Sequence, residues 1–238
     1  MSTILLVHGA FADHHAFDLV VPLFQGRGHQ VLAPDLPGHG GDPTPLGAIN
    51  LEAYVERVRG LIKEPVVLVG HSMAGMVVSQ VAERDPDRIS ALVYVAAYLP
   101  KSGQSLQQLA ELDGESLVGK SLHFAPDYST TSLPKAVVPE AIAADLPVPL
   151  QAIISESQRP EPLAPFQGVV NLGANFDRVK KAYLRTELDR AVTPTLQSKM
   201  LIEYPQIPTR SLRTGHLPFL AQPEAFVEAV LALAKAAR

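Results

Sequence analysis

The chain has 238 residues, 47% hydrophobic and 18% charged, the balance of an ordinary globular domain long enough to bury a large core. A net charge of −4 supplies no basic footprint for nucleic acid or an anionic membrane, and the absence of cysteine excludes disulfides, thiolate zinc sites and a cysteine nucleophile. The longest apolar runs, such as ALVYVAAYL, reach about half of the roughly 20 residues a membrane helix needs.

The first residues, MSTILLVHG, carry neither a charged leader segment nor a small-residue cleavage site, so a cytoplasmic location is the expectation. Residues 3–9 (TILLVHG) form an apolar run too short for a helix and suited to a strand buried on both faces. Residues 15–28 (HAFDLVVPLFQGRG) have helical spacing and end in glycines, and residues 29–38 (HQVLAPDLPG) read as a second strand. In residues 50–64, Asn50 is a natural N-cap, with Tyr54, Val55, Val58 and Ile62 on one helical face. A third strand, PVVLVGH, runs into a helix, MAGMVVSQVAERDP, and then a fourth strand, ISALVYVAAYLP. Strand alternating with helix predicts a parallel sheet with right-handed crossovers.

The rhythm breaks over residues 100–177, which hold 9 of the 21 prolines in polar, mixed-period segments, so an inserted cap is expected there rather than more sheet. Alternation resumes with a strand (VKKAYLRT), a helix (TPTLQSKMLIEY), a strand (PTRSLRTG) and a last helix over residues 223–238. The expected fold is α/β, a mostly parallel central sheet flanked by helices, with residues 1–99 and 178–238 as the core and 100–177 as a cap or lid.

The third strand delivers Ser72 directly into a helix, in the stretch VVLVGHSMAG. A serine hydroxyl is inert alone; it needs a base, an acid to orient that base, and donors aimed at the oxyanion. A sharp strand-to-helix turn lifts the side chain out of the sheet edge, and the next amide lies at a helix N-terminus. Positions two before and two after the serine must be small, as Gly70 and Ala74 are, so GHSMA is a variant of the G-x-S-x-G elbow in which Gly75 follows one place late. The competing role for Ser72 is a plain helix N-cap.

A base and an acid should follow the serine in the order acid, then histidine. Of eight histidines only His216, in LRTGHLPFL, lies beyond the insertion and just past a strand. The strand-to-helix loop TELDRAVTP offers Asp189 and Glu187; Asp189 is favoured because its 27-residue separation from His216 holds one helix and one strand. Oxyanion donors are expected from the amide of Met73, directly after the serine, and of Ala10, in the glycine-bearing loop after the first strand. His71 is expected to pack locally. His14 and His15 read as a surface helix start near the site mouth, and Asp35 as a loop-bonding residue. No histidine–carboxylate spacing suggests a metal, and PGHGGD lacks the lysine and spacing of a phosphate loop, so neither metal nor cofactor is expected.

The segments LLVHGA, APDLPGHG, VGHSMAG, TELDRAVTP and TGHLPFLAQPEAF resemble the α/β-hydrolase superfamily, in particular its branch of plant methylesterases, hydroxynitrile lyases and bacterial carboxylesterases. The likeness spans nearly the whole chain and is weakest in the insertion. It implies Ser72 as nucleophile, His216 as base, Asp189 as orienting acid and the Ala10 and Met73 amides as oxyanion hole. Independently of it, the Leu, Ala, Val and Pro content of the insertion points to a small to medium, largely apolar ester. Among cap residues, Phe124, Tyr128 and Phe166 are the expected substrate contacts. The expected partner is a small-molecule ester, with no nucleic acid and no membrane; a homodimer is left open. The alternatives are a hydroxynitrile lyase and a ligand-sensing protein on the same fold. The lyase branch carries a lysine after the histidine and a threonine in the oxyanion loop, where this chain has Leu217 and Gly9.

Overall fold

A computed structural model describes residues 2–237; Met1 of the expected core and Arg238 of the expected last helix lie outside them. The first strand, β1 (Thr3–Val7), is buried throughout. The expected helix at 15–28 is split: a 3-10 turn at His14–Phe17 is followed by α1 (Val21–Gly26), because Pro22 starts a new helix rather than continuing one. Strand β2 (Gln30–Leu32) is only three residues long and stands at the sheet edge, cut short by Pro34 and Pro37. Helix α2 (Leu51–Leu61) is capped as expected, with Asn50 Oδ1 accepting from the Ala53 amide at 2.9 Å. Strand β3 (Val66–His71), helix α3 (Ala74–Arg84) and strand β4 (Ile89–Val95) follow.

The insertion carries a small antiparallel sheet of β5 (His123–Phe124), β6 (Thr130–Ser132) and β7 (Glu161–Pro162), with short helices including Leu106–Ala110, Val138–Ile142 and Val148–Ser157. Most of its helices have four or five residues, too few to show a 3.6-residue period, so they were not legible as helices. Its last part does not overhang the core. Leu163, Phe166, Val170 and Phe176 join the apolar cluster under α2 and α3. The chain then returns through β8 (Lys181–Thr186), the helix Pro194–Ile202, β9 (Thr209–Leu212) and the helix Pro223–Ala236.

The six core strands are parallel in the order β2-β1-β3-β4-β8-β9. Successive strand residues face opposite sides, and the core divides accordingly. Leu5, Val7, Leu68, Leu92 and Tyr94 pack under α2 and α3, while Ile4, Leu6, Val67, Val69, Val93 and Val95 pack against α1 and the C-terminal helix. Pairing of Val7 with Gly70 and of His71 with Val95 brings the ends of β1, β3 and β4 level at one edge. Chain direction across the sheet reverses between β1 and β3, the crevice where open parallel sheets bind ligands. Among the described residues no helix is long and apolar enough to cross a membrane.

Candidate active site

Ser72 leaves β3 with φ of 54°, the left-handed region that a residue with a side chain occupies only when its surroundings impose it. Its amide donates to the Val95 carbonyl at 3.2 Å, and its carbonyl accepts from the amides of Gly75 at 3.0 Å and Tyr98 at 3.1 Å. The turn needs small neighbours. A Cβ on Gly70 would stand 2.7 Å from Val78 Cγ2, and one on Gly75 would run into the Tyr98 carbonyl. Within the turn the other position that a Cβ would not fit is Gly75, while Ala74 is packed in the core. Gly75 lets the Tyr98 amide reach the Ser72 carbonyl.

His216 lies just past β9, its Nε2 3.0 Å from Ser72 Oγ. Its Nδ1 is 2.8 Å from Asp189 Oδ2, and the Asp189 side chain is fully buried. Asp189 Oδ1 accepts from the amides of Ala191 at 2.8 Å and Val192 at 3.0 Å; Oδ2 also accepts from Thr186 Oγ1 at 2.8 Å. The carboxylate can only accept, so His216 Nδ1 carries the proton and Nε2 presents a lone pair to the Ser72 hydroxyl. Glu187, the alternative acid, is exposed and makes no side-chain bond to His216 among the described residues.

Several supports of this arrangement were not found in the sequence. Gln197, fully buried on the helix Pro194–Ile202, donates to the Val192 carbonyl at 2.8 Å and to Thr186 Oγ1 at 3.1 Å, and accepts from the Thr186 amide at 3.1 Å, so it ties both ends of the acid loop together. A lone glutamine inside an apolar helix face was the only signal for it. His71 Nε2 donates to the His216 carbonyl at 2.9 Å, and its ring stands edge-on to Phe219. Burial, reinforced by the neighbouring His216, holds the His71 pKa well below the ordinary histidine value, so it is a neutral anchor for the His216 backbone.

The amides of Ala10 and Met73 border the same space as Ser72, and neither donates a hydrogen bond within the described residues. Both peptide units are held from their carbonyl ends. The Ser72 carbonyl belongs to the unit bearing the Met73 amide. The Gly9 carbonyl belongs to the unit bearing the Ala10 amide, and it accepts from His8 Nδ1 at 2.9 Å. His8 Nε2 accepts from the Leu36 amide at 3.1 Å, which sets the same tautomer. Burial, then the charge of nearby His39, lowers the His8 pKa to about 4.

These groups stand at the floor of a cavity of about 750 Å³ lined by Ser72, His216, Leu106, Ile154, Phe124 and Phe166 among others. Phe124 is half-exposed at its wall and Phe166 is buried. Tyr128 departs from expectation: it lies outside the cavity, 69% exposed, in a left-handed turn that joins β5 to β6, where its ring stacks on Phe124 at 5.9 Å. His15 reaches the cavity mouth and pairs with Asp18, whereas His14 is bound through its amide and Nδ1 to Asp35. The fold also gathers ligand atoms of Asp13, His14 and Asp35 within 4.8 Å of one another, a grouping the sequence spacing did not reveal; His14 is bonded there to Asp35 through both its amide and Nδ1.

A sequence model of the alpha/beta hydrolase family matches residues 4–229. The pyrethroid hydrolase of Sphingobium wenxiniae is 26% identical over 99% of this chain and 89% of that protein. Methylesterase 2 of Arabidopsis thaliana is 26% identical over 97% of this chain and 95% of that one. The crystal structure of a pyrethroid hydrolase superposes with a TM-score of 0.85 at 25% identity, covering 99% of this chain and 98% of the other.

Proposed function

The chain belongs to the alpha/beta hydrolase family, and from that premise we propose that it is a serine esterase that cleaves largely apolar carboxylic esters through an acyl-enzyme. The observation that carries this is the run of two contacts, Ser72 Oγ to His216 Nε2 at 3.0 Å and His216 Nδ1 to Asp189 at 2.8 Å, at the floor of an apolar-walled cavity. Relatives named methylesterase and pyrethroid hydrolase support the same reaction class.

In this mechanism the Ser72 hydroxyl attacks the ester carbonyl while His216 Nε2 takes its proton. Asp189 keeps the imidazole upright and stabilises the imidazolium. The tetrahedral oxyanion is received by the Ala10 and Met73 amides, whose direction is set before substrate arrives, so no reorganisation is needed at the reaction. His216 then returns the proton to the leaving alcohol, and water attacks the acyl-enzyme with His216 as base. Residues 100–177 act as the cap that shapes the ester site.

The lyase alternative has less support. Leu217, beside the histidine, is apolar and buried, so no cation steadies a departing anion there. A Cβ on Gly9 would stand 2.8 Å from Ser72 Cβ, which leaves no room for threonine in this backbone. A sensing role would show as tight ligand binding with very slow turnover.

The test is a panel of p-nitrophenyl and methyl esters of graded size, run on the wild type and on Ser72→Ala, with a serine-reactive phosphonate as label. The expected outcome is a loss of turnover of roughly 10⁶-fold with the fold retained, and labelling at Ser72 alone. Turnover that survives the substitution, or labelling elsewhere, removes Ser72 as nucleophile.

A further inference from the structure

Glu161 belongs to β7 of the insertion, yet its side chain is fully buried in the core. Its Oε2 accepts from the Phe11 amide at 2.7 Å and faces His39 Nε2 at 2.9 Å; its Oε1 accepts from the Tyr54 hydroxyl at 3.3 Å. The three donors come from the loop after β1, the loop after β2 and helix α2. Apolar contacts alone could hold the insertion down. Sinking a carboxylate costs desolvation that only specific partners offset, so the position of those partners matters.

The shortest of these bonds goes to the residue after Ala10. Phe11 has φ of 61°, left-handed for a residue with a large side chain, a conformation that persists only where neighbours impose it. Ala10 thus lies between two restrained peptide units. The Gly9–Ala10 unit, which bears the Ala10 amide, is held at its carbonyl by His8 Nδ1. The Ala10–Phe11 unit is held at its amide by Glu161. Remove the second restraint and a partly buried amide loses its protein partner, in a conformation nothing else among its described bonds maintains.

His39 completes the arrangement. Its Nε2 faces Glu161 and its Nδ1 lies 3.2 Å from the Pro37 carbonyl. Both partners are acceptors, so both ring nitrogens carry protons and the ring is a cation paired with Glu161. Burial works against that charge, but the hydrogen bond and charge of Glu161 outweigh it and raise the His39 pKa.

We propose that Glu161 is a positioning residue for the esterase reaction: reaching down from the insertion, it fixes the oxyanion loop, so that seating of the cap and competence of the Ala10 donor are one event. The inference rests on the esterase reading above.

The test uses the full chain with Ser72 titrated by phosphonate and p-nitrophenyl butyrate as substrate. Glu161→Ala should lower kcat by about tenfold to a hundredfold, less than loss of a whole oxyanion donor, with KM within about twofold. Glu161→Gln should recover kcat to within about threefold, because its amide oxygen can take the Phe11 and His39 protons while its NH₂ meets the Tyr54 oxygen. If Glu161→Ala does not fold, the double variant Glu161→Met with His39→Leu removes both buried charges together and must show the same kcat loss. A kcat near wild type in Glu161→Ala or in the double variant, a loss confined to KM, or a Glu161→Gln no better than Glu161→Ala overturns the proposal. A wild type that neither turns over esters nor labels at Ser72 overturns instead the reading on which it rests.

Discussion

Replacing Asp189 by asparagine exchanges one carboxylate oxygen for an NH₂, and the surroundings dictate which one. At the Oδ1 position the NH₂ would face two backbone N–H groups, from Ala191 and Val192, neither of which can turn around. At the Oδ2 position it would face Thr186 Oγ1, a hydroxyl able to accept, and His216 Nδ1. The amide therefore settles with its NH₂ toward His216. Nδ1 must then accept, and the imidazole proton moves to Nε2, where it points at Ser72 Oγ, 3.0 Å away. The base is blocked with hardly an atom displaced. A triad held in that tautomer loses ~10⁴ in kcat, or about 5 kcal/mol of transition-state stabilisation. Steady-state hydrolysis of p-nitrophenyl butyrate measures kcat, the rate of phosphonate labelling of Ser72 should fall in parallel, and a urea melt checks that the fold persists. Glu187→Gln, on an exposed side chain, should change kcat by less than about threefold. An Asp189→Asn variant within about tenfold of wild type, or a larger loss from Glu187→Gln, would refute the tautomer argument.

Acid should weaken the fold through two of its buried histidines, His8 and His71. The His8 pKa falls from about 6.5 in an unfolded chain to about 4 in the folded one, so its neutral form stabilises the protein fully above pH 6.5. That contribution, up to about 3 kcal/mol for this group, is lost as the pH falls toward 4. His71, shifted in the same direction, adds to the loss. Urea midpoints at pH 7 and pH 4.5 should differ less for His8→Gln than for wild type; equal differences would show that His8 does not titrate this way. Among the cap aromatics, Phe166→Ala and Phe124→Ala should change relative kcat/KM across esters of graded bulk, whereas Tyr128→Ala should give a profile parallel to wild type. A parallel profile for Phe166→Ala would place the specificity wall elsewhere along the cavity.

What the sequence determined by itself is what short-range periodicity can carry. Apolar runs such as those of β1, β3 and β4, alternating with helical patterns in most of the core, point to the parallel sheet. The abrupt passage from VVLVGH to a helix isolates Ser72, because a sharp strand-to-helix turn leaves a local mark in small residues. His216 and Asp189 were legible for a topological reason: loops after parallel strands all leave one edge, so a late histidine and a carboxylate one strand earlier arrive together.

The tertiary structure alone decided which groups hold those residues in place. Gln197 acts on a loop that begins 11 residues earlier, His71 on a carbonyl 145 residues away, and Glu161 on an amide 150 residues away. No spacing encodes such pairs. Each depends on how crossovers and the insertion stack at the sheet edge, and a buried polar side chain reads in sequence like any exposed one. The same limit explains Gly75, whose need for glycine comes from the Tyr98 backbone folding back across it, and Tyr128, an aromatic whose turn directs it to solvent rather than to the cavity. Local chemistry marks the candidate reacting groups; long-range packing chose their supports, because only a closed fold decides which buried donor meets which acceptor.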